Sequence, residues 1–166
     1  MSSFLDLPNE IILKVLSYTE ITDVLRCGQV SKRIRTISND NSLFRIVNLS
    51  GKYVTTDFIE TLLNKGCRSL DISHCNIWGN LSLIKISQLR KLDLSNCRTT
   101  LKGLKVNTKM VASICQNSKT LEHLNLCNSY FEGDGDGYQE IIKTYQDQGY
   151  LLYISDRCLI LQSVSA

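Results

Sequence analysis

The sequence predicts an α/β fold in which a short helical segment precedes an array of similar, strand-containing units. The first observation is a repeated pattern of alternating apolar residues followed by small polar ones. The copies are Cys67–Cys75, Leu89–Cys97 and Leu121–Ser129, with a half copy at Val47–Ser50. The second observation is that apolar residues before Val47 recur instead at helical spacing. A parallel sheet is the usual product of stacking such repeated units.

Residues 7–45 predict three short helices. Pro8 suits the first helical position, and Glu10 suits the positive end of that helix. The first helix then carries one apolar stripe, Ile11, Ile12, Val15 and Leu16. Thr22 or Asp23 is the expected cap of the second helix, and the third carries the stripe Val30, Ile34 and Ile37. Helices of this size bury little area alone, so they need a partner or an adjoining domain.

The repeated units predict short strands joined by helical or irregular returns. Leu70 and Leu92 are 22 residues apart, whereas Leu92 and Leu124 are 32 apart, which predicts an insertion within residues 99–109. Expected helical returns cover residues 57–63, 106–115 and 138–145. Leu151–Ile154 is the expected last strand, which would close the stack.

Composition bounds the class of protein. The 166 residues suit one domain, or a small module fused to a short array. We expect no membrane span, because no long apolar run exists, and the start of the chain lacks the pattern of a secretory signal. The number of cysteines, seven, is odd, and no two of them have C-x-x-C spacing. We therefore expect reduced thiols, which indicate a cytoplasmic or nuclear location.

Charge is distributed unevenly along the chain. Residues 51–120 contain eleven Lys/Arg and four Asp/Glu, whereas residues 121–166 contain two and seven. The basic stretch is interpreted either as the solvated face of a small module or as a docking patch for an acidic or phosphorylated partner. Nucleic acid is not expected, because aromatic residues do not alternate with the basic ones.

Catalytic and metal chemistry are not predicted. The two histidines, His74 and His123, each lie near a cysteine, but adjacent residues in a strand point to opposite faces and no third group orients the pair. Cys75 and Cys97 fall at a repeat position where a buried structural role is expected. We therefore predict no cofactor, no metal site and no enzymatic activity.

Residues 7–45 resemble an F-box. The resemblance rests on the opening Leu7–Ile12, on Val30–Arg33 about twenty residues later, and on Leu43-Phe44. Ile34 and Phe44 stand where F-boxes commonly have tryptophan. The resemblance implies binding to a Skp-type adaptor. The residues expected to contact the adaptor are Leu7, Pro8, Glu10, Ile11, Val15, Leu16, Leu25 and Val30.

From Val47 onward the pattern Leu-x-x-Leu-x-Leu-x-x-Asn/Cys resembles a leucine-rich repeat. The fold class is therefore an N-terminal three-helix F-box (residues 1–45) followed by a short leucine-rich-repeat solenoid with a parallel sheet (residues 46–166). We expect about three to four repeats and an atypical closing segment. This order of modules is similar to that of the F-box/leucine-rich-repeat substrate receptors of SCF-type ubiquitin ligases.

The resemblance implies a non-catalytic receptor that reaches cullin and RING subunits through the adaptor and holds a target protein on its repeats. Polar residues between the core leucines would face the target. The candidates are Asn48, Asp71, Lys91, Asp93, His123 and Asn125. Two alternatives remain open: a decoy that occupies the adaptor without presenting a target, and a binding scaffold that is independent of ubiquitin. Neither nucleic acid nor a membrane is an expected partner.

Overall fold

The computed structural model combines N-terminal helices with a largely parallel sheet. It describes residues 4–79, 88–99, 102–103, 105–107, 120–128, 130–132, 143, 150–155 and 158–163. Within these ranges, no helix is long and apolar enough to cross a membrane.

The three predicted helices are present as α1 (Asn9–Leu16), α2 (Ile21–Cys27) and α3 (Lys32–Ser38), and 3₁₀ turns lie at Phe4–Asp6 and Asn41–Phe44. Pro8 is the N-cap of α1 and not its first residue. Glu20, which precedes the expected caps Thr22 and Asp23, is the N-cap of α2 and makes no side-chain capping bond. The hydroxyl of Ser31 caps α3 by accepting a hydrogen bond from the Ile34 amide at 3.2 Å.

The apolar stripe of α1 divides between two environments. Ile12 and Leu16 are buried with Val24 of α2 and Ile34 of α3, in a core that is continuous with the aliphatic residues of the repeats. Ile11, one position from Ile12, is exposed. The helices therefore share one hydrophobic core with the array and bury an area that they could not bury alone.

Among the described residues, twelve short strands follow α3. They are β1 (Ile46–Asn48), β2 (Tyr53–Thr55), β3 (Ser69–Asp71), β4 (Asn76–Trp78), β5 (Lys91–Asp93), β6 (Arg98–Thr99), β7 (Lys102–Gly103), β8 (Lys105–Asn107), β9 (His123–Asn125), β10 (Tyr130–Glu132), β11 (Tyr150–Ser155) and β12 (Cys158–Ser163). The main sheet has the order β1-β3-β5-β9-β12-β11. Its first four strands are parallel and come one from each repeated unit.

The register of this sheet aligns equivalent positions of the repeat. Val47, Leu70, Leu92 and Leu124 are Cα partners in a single row, and each is at most 2% exposed. A one-residue slip would turn this row to solvent, so the burial of the row fixes the register. The 32-residue interval before Leu124 therefore leaves the pairing of the main sheet unchanged.

A second sheet has the order β2-β4-β6-β7. Strands β2, β4 and β6 each come shortly after a strand of the main sheet in the chain. Strands β2, β4 and β6 are parallel, and they bury Val54 and Ile77 while Tyr53 and Trp78 are exposed. Helix α4 (Thr56–Asn64) is the return expected over residues 57–63.

The predicted insertion contains strands. β6 pairs with β7 in an antiparallel arrangement, and β8 pairs in parallel with β10. Because Val106 and Asn107 lie in β8, the helical return expected over residues 106–115 does not begin where we predicted, and residues 108–115 lie outside the described part of the chain.

The sheet closes with an antiparallel hairpin. The strand expected at Leu151–Ile154 lies within β11, but β11 is the edge strand and β12, which we did not predict, pairs with β9. The return helix expected over residues 138–145 lies outside the described residues except for Lys143.

The shared core row yields a stability prediction. Replacement of Leu92 by alanine leaves a cavity at a fully buried position, so we expect a loss of about 2–5 kcal/mol in the free energy of unfolding. Urea denaturation followed by circular dichroism measures this loss. Lys91→Ala is the matched control, because Lys91 is the exposed neighbour on the same strand; equal losses in both variants would contradict the assigned burial.

Candidate functional site

Apolar side chains are exposed along one side of α1. Ile11 and Val15 are 48% and 45% exposed, and Tyr18, just past the end of the helix, is 79% exposed. Spacings of four and three residues place such side chains on one helical face. Phe4, in the preceding 3₁₀ turn, is also exposed. We call Phe4, Ile11, Val15 and Tyr18 the α1 surface, and an exposed apolar group of this kind is typical of a protein-binding site.

Contacts at both ends of α1 hold this region in place. Arg33 at the start of α3 donates hydrogen bonds to the Leu7 carbonyl at 2.6 Å and to the Asn9 side chain at 2.8 Å. The start of α1 is therefore tied to α3. At the other end of α1, the ammonium of Lys14 lies 5.1 Å from the centre of the Tyr18 ring, within cation–π range.

The predicted adaptor contacts are exposed, half-buried or, in the case of Leu16, buried. Pro8, Glu10, Ile11, Val15 and Val30 are exposed, and Val30 is 72% exposed on the connection between α2 and α3. Leu7 and Leu25 are half-buried and pack against the core.

Leu16 differs from the expected arrangement, because it is only 4% exposed and packs in the core. Its side chain has little surface left for a partner. Phe4 and Tyr18 are exposed on the α1 surface but are not among the predicted contacts. The sequence spacing of Tyr18 from Ile11 and Val15 is helical and could have placed Tyr18 on the same face.

The polar row of the strands has an internal role. In every unit an Asn or Asp oxygen accepts a hydrogen bond from the backbone N–H two residues later. These bonds join Asn48 to Ser50 at 2.8 Å, Asp71 to Ser73 at 2.9 Å, Asp93 to Ser95 at 2.8 Å and Asn125 to Cys127 at 3.0 Å. Such Asx turns end each strand and reverse the chain.

Each turn continues into a residue in the left-handed region. Gly51 has a φ of 74°, and His74, Asn96 and Asn128 have φ values of 56–57° at the equivalent positions. Glycine and asparagine adopt this conformation most easily, so His74 is the least suited of the four to its turn. The position of His74 therefore reflects turn geometry, and its ring nitrogen lies 3.5 Å from the Asn96 amide.

The turns are also linked to one another. The Asn125 amide donates to the second oxygen of Asp93 at 2.9 Å, and the hydroxyls of Ser50 and Ser73 are 2.9 Å apart. Asp71, Asp93 and Asn125 are half-buried as a result of this packing. Of the six candidate target contacts, the remaining two, Lys91 and His123, are Cα partners in the neighbouring row and are not committed to turns.

The cysteines at the repeat position are buried and structural. Cys75 donates to the Leu49 carbonyl at 3.0 Å, and Cys97 donates to the Ile72 carbonyl at 2.9 Å. Burial raises the pKa of Cys97 to about 12, and it raises the pKa of Cys67 to about 11. These thiols therefore stay protonated near neutral pH, and thiolate is the form that reacts as a nucleophile.

The expectation of reduced thiols needs one correction. Cys27, Cys67, Cys75 and Cys97 are free, but Cys127 is disulfide-bonded. The odd number of cysteines and their spacing gave no indication of this bond. Among the residues that the structure describes, no group of three or more His, Cys, Asp or Glu side chains is placed to hold a metal ion.

A cleft of about 680 Å³ separates the helices from the first strand. One wall is the connection between α1 and α2, including Tyr18 and Glu20. The other is the segment from Arg45 to Lys52, which contains β1. An ion pair between Lys52 and Glu20 joins the two walls.

Residues 4–50 of the chain match the family model described as F-box-like. The matched range contains α1, α2, α3, the α1 surface and β1 with its Asx turn. It thus extends beyond the helices into the strand whose Val47 and Leu49 are buried in the same core. An F-box-like domain at this end of the chain agrees with the resemblance found in the sequence.

The role of Asp93 in the Asx turn of the third unit predicts how substitutions of this residue affect stability. Asp93→Ala removes the acceptor for the Ser95 amide, the Ser95 hydroxyl and the Asn125 amide, so we expect a loss of about 1–3 kcal/mol in unfolding free energy. Asp93→Asn keeps a turn acceptor, as Asn48 and Asn125 do, and should cost less. Urea titrations decide this, and equal losses for the alanine and asparagine variants would contradict a turn-forming role.

Proposed function

We propose that this chain is a non-catalytic subunit that binds a Skp-type adaptor through its F-box-like domain and, through the adaptor, joins an SCF-type cullin–RING ubiquitin ligase. The supporting observation is the coincidence of the matched range with the α1 surface, an apolar face that the core of the chain does not use. F-box proteins are generally non-catalytic subunits of such complexes. This function requires surface complementarity and no reactive groups.

The energy of adaptor binding would come mainly from removing apolar side chains from water. A fully buried aliphatic side chain contributes about 1.5–3 kcal/mol before the costs of association are subtracted. Ile11, Val15 and Val30 begin roughly half or more exposed, so each has surface available for this gain. Leu16 would act indirectly, by holding α1 against the core.

A finer part of the proposal concerns residues 46–166. We infer a leucine-rich-repeat solenoid whose exposed strand face holds a target protein for ubiquitination and proteasomal degradation. In-register parallel strands with one buried aliphatic row support this inference. Because the Asn and Asp row forms turns, we propose that the row containing Lys91 and His123 makes most of the side-chain contacts with the target. We also propose cytoplasmic or nuclear action, which the four free thiols among the described residues favour and the disulfide of Cys127 does not.

A second candidate function is a decoy that occupies the adaptor without presenting a target. It is favoured by the internal use of Asn48, Asp71, Asp93 and Asn125, which leaves fewer free side chains on the strand face. Overproduction in cells separates the two. A receptor lowers the abundance of a particular protein, whereas a decoy lengthens the half-lives of proteins that other F-box subunits deliver.

Adaptor binding is testable with charge substitutions on the α1 surface. Ile11→Asp and Val15→Arg place unpaired charges on it, and each charge suits its end of α1, so the fold should persist. We expect each to weaken binding of a purified Skp-type adaptor by at least about tenfold in calorimetry, because about 1.4 kcal/mol corresponds to that factor.

Tyr53→Asp is the matched control, since Tyr53 is an exposed apolar residue on the second sheet, outside the α1 surface. It should bind the adaptor as the unmodified chain does. The proposal fails if the unmodified chain does not bind, or if Ile11→Asp and Val15→Arg bind with full affinity while folded.

A further inference from the structure

Strand β1 has an open edge. It lies at one end of the main sheet and pairs only with β3 among the described strands. On the β3 side, the Arg45 carbonyl accepts from the Ser69 amide at 3.0 Å, and the Leu49 amide donates to the Asp71 carbonyl at 2.8 Å. Backbone groups alternate in direction along a strand. The N–H and C=O groups of Ile46 and Asn48, between those positions, therefore point away from β3.

This open edge faces the cleft between β1 and the α1–α2 connection. Ile46 and Tyr18, on opposite walls, are both 79% exposed. An exposed apolar residue on an uncovered edge strand is unusual, because such edges pair readily with other chains. The edge is accessible because a cleft of about 680 Å³ lies between β1 and the α1–α2 connection.

The charge at this edge is positive. Arg45 lines the cleft at the start of β1, and Arg68 precedes β3. Neither arginine takes part in the ion pairs of the described residues, whereas Arg90 is paired with Glu122 at 3.3 Å. Hydrogen bonds from the Ser42 hydroxyl and amide lower the pKa of the Asp40 carboxyl, and the charge of Arg45 contributes less to this lowering. Arginine at such a position favours a carboxylate partner.

We propose that the β1 edge and its cleft form a second binding site, which takes an extended acidic segment of a partner protein as an added strand. The outward groups of Ile46 and Asn48 supply the backbone hydrogen bonds. Ile46 and Tyr18 contact apolar side chains of the segment, and Arg45 pairs with one of its carboxylates. Recognition through an added strand combines backbone affinity with specificity from alternate side chains. This site shares Tyr18 with the α1 surface but none of its other residues, and it does not depend on adaptor binding.

The probe for this site is a short fluorescein-labelled peptide that alternates glutamate with valine, titrated into the full chain by fluorescence polarisation. Two matched probes replace the glutamates with lysine, or the central valine with proline, which lacks an N–H and blocks strand pairing. We expect the glutamate probe to bind at least about tenfold more tightly than either. Equal binding of all three probes, or no binding of the glutamate probe, overturns the proposal.

Variants of the chain test the two contributions separately. Ile46→Pro removes an outward N–H together with the isoleucine side chain and fixes the φ angle, a change that edge strands tolerate, and it should abolish binding. Ile46→Val keeps the N–H and an aliphatic side chain and should retain binding. Arg45→Glu should weaken binding of the glutamate probe, and Arg98→Glu, an exposed charge reversal on the second sheet, should have a smaller effect. Ile11→Asp should bind the peptide normally, which distinguishes this site from the proposed adaptor site.

Amide hydrogen exchange of the unmodified chain provides a test that requires no variant to fold. On saturation with the glutamate probe, exchange at the outward-pointing amides of Ile46 and Asn48 should slow by at least about tenfold, because an added strand protects them. Binding of the probe without protection at these amides would indicate simple ionic association and would overturn the added-strand proposal.

Discussion

The burial of one aliphatic row is the constraint on which the rest of the structure depends. Val47, Leu70, Leu92 and Leu124 stack across four parallel strands and fix their register. The same core receives Ile12 from α1, so helices too short to be stable alone become part of a larger folded unit. Because this row sets the alignment, the Asx turns, the buried cysteines and the second sheet recur at equivalent positions in successive units.

The sequence allowed the strands that carry the repeated pattern, β1, β3, β5 and β9, and their core residues to be predicted, because a period of two residues assigns each position to one face of a sheet. It did not separate Ile11 from Leu16. Both belong to one broad helical stripe, and only the packed structure shows that one part of the stripe faces the core and the other solvent. The role of Asp93 was also hidden, since a polar residue in an exposed row suits either recognition or a turn. The pairing of β12 with β9 and the cleft beside β1 depend on contacts between distant segments, for which the repeat gave no signal.

Several polar residues of the strands stabilise the fold, which leaves fewer surfaces for the proposed binding functions. The Asn and Asp side chains that the repeat pattern suggests as target contacts form hydrogen bonds within the turns instead. Asn125, for example, accepts from the Cys127 amide and donates to Asp93. Among the described residues, the surfaces that we propose for binding lie elsewhere: on the outer face of α1, on the row containing Lys91 and His123, and along the edge of β1. Such surfaces are compatible with the proposal that the chain holds an adaptor at one place and a second protein at another.

The central claim is that α1 presents one face to the core and leaves the other for an adaptor. Methyl-resolved NMR of isoleucine-labelled chain, recorded with and without an unlabelled Skp-type adaptor, tests it most directly, because Ile11 and Ile12 are adjacent residues on opposite sides of that division. The Ile11 methyl signal should shift strongly or broaden, whereas the signals of Ile12 and of the distant core residue Ile59 should change much less. An unchanged Ile11 signal at saturating adaptor, or changes of equal size at all three residues, would contradict it.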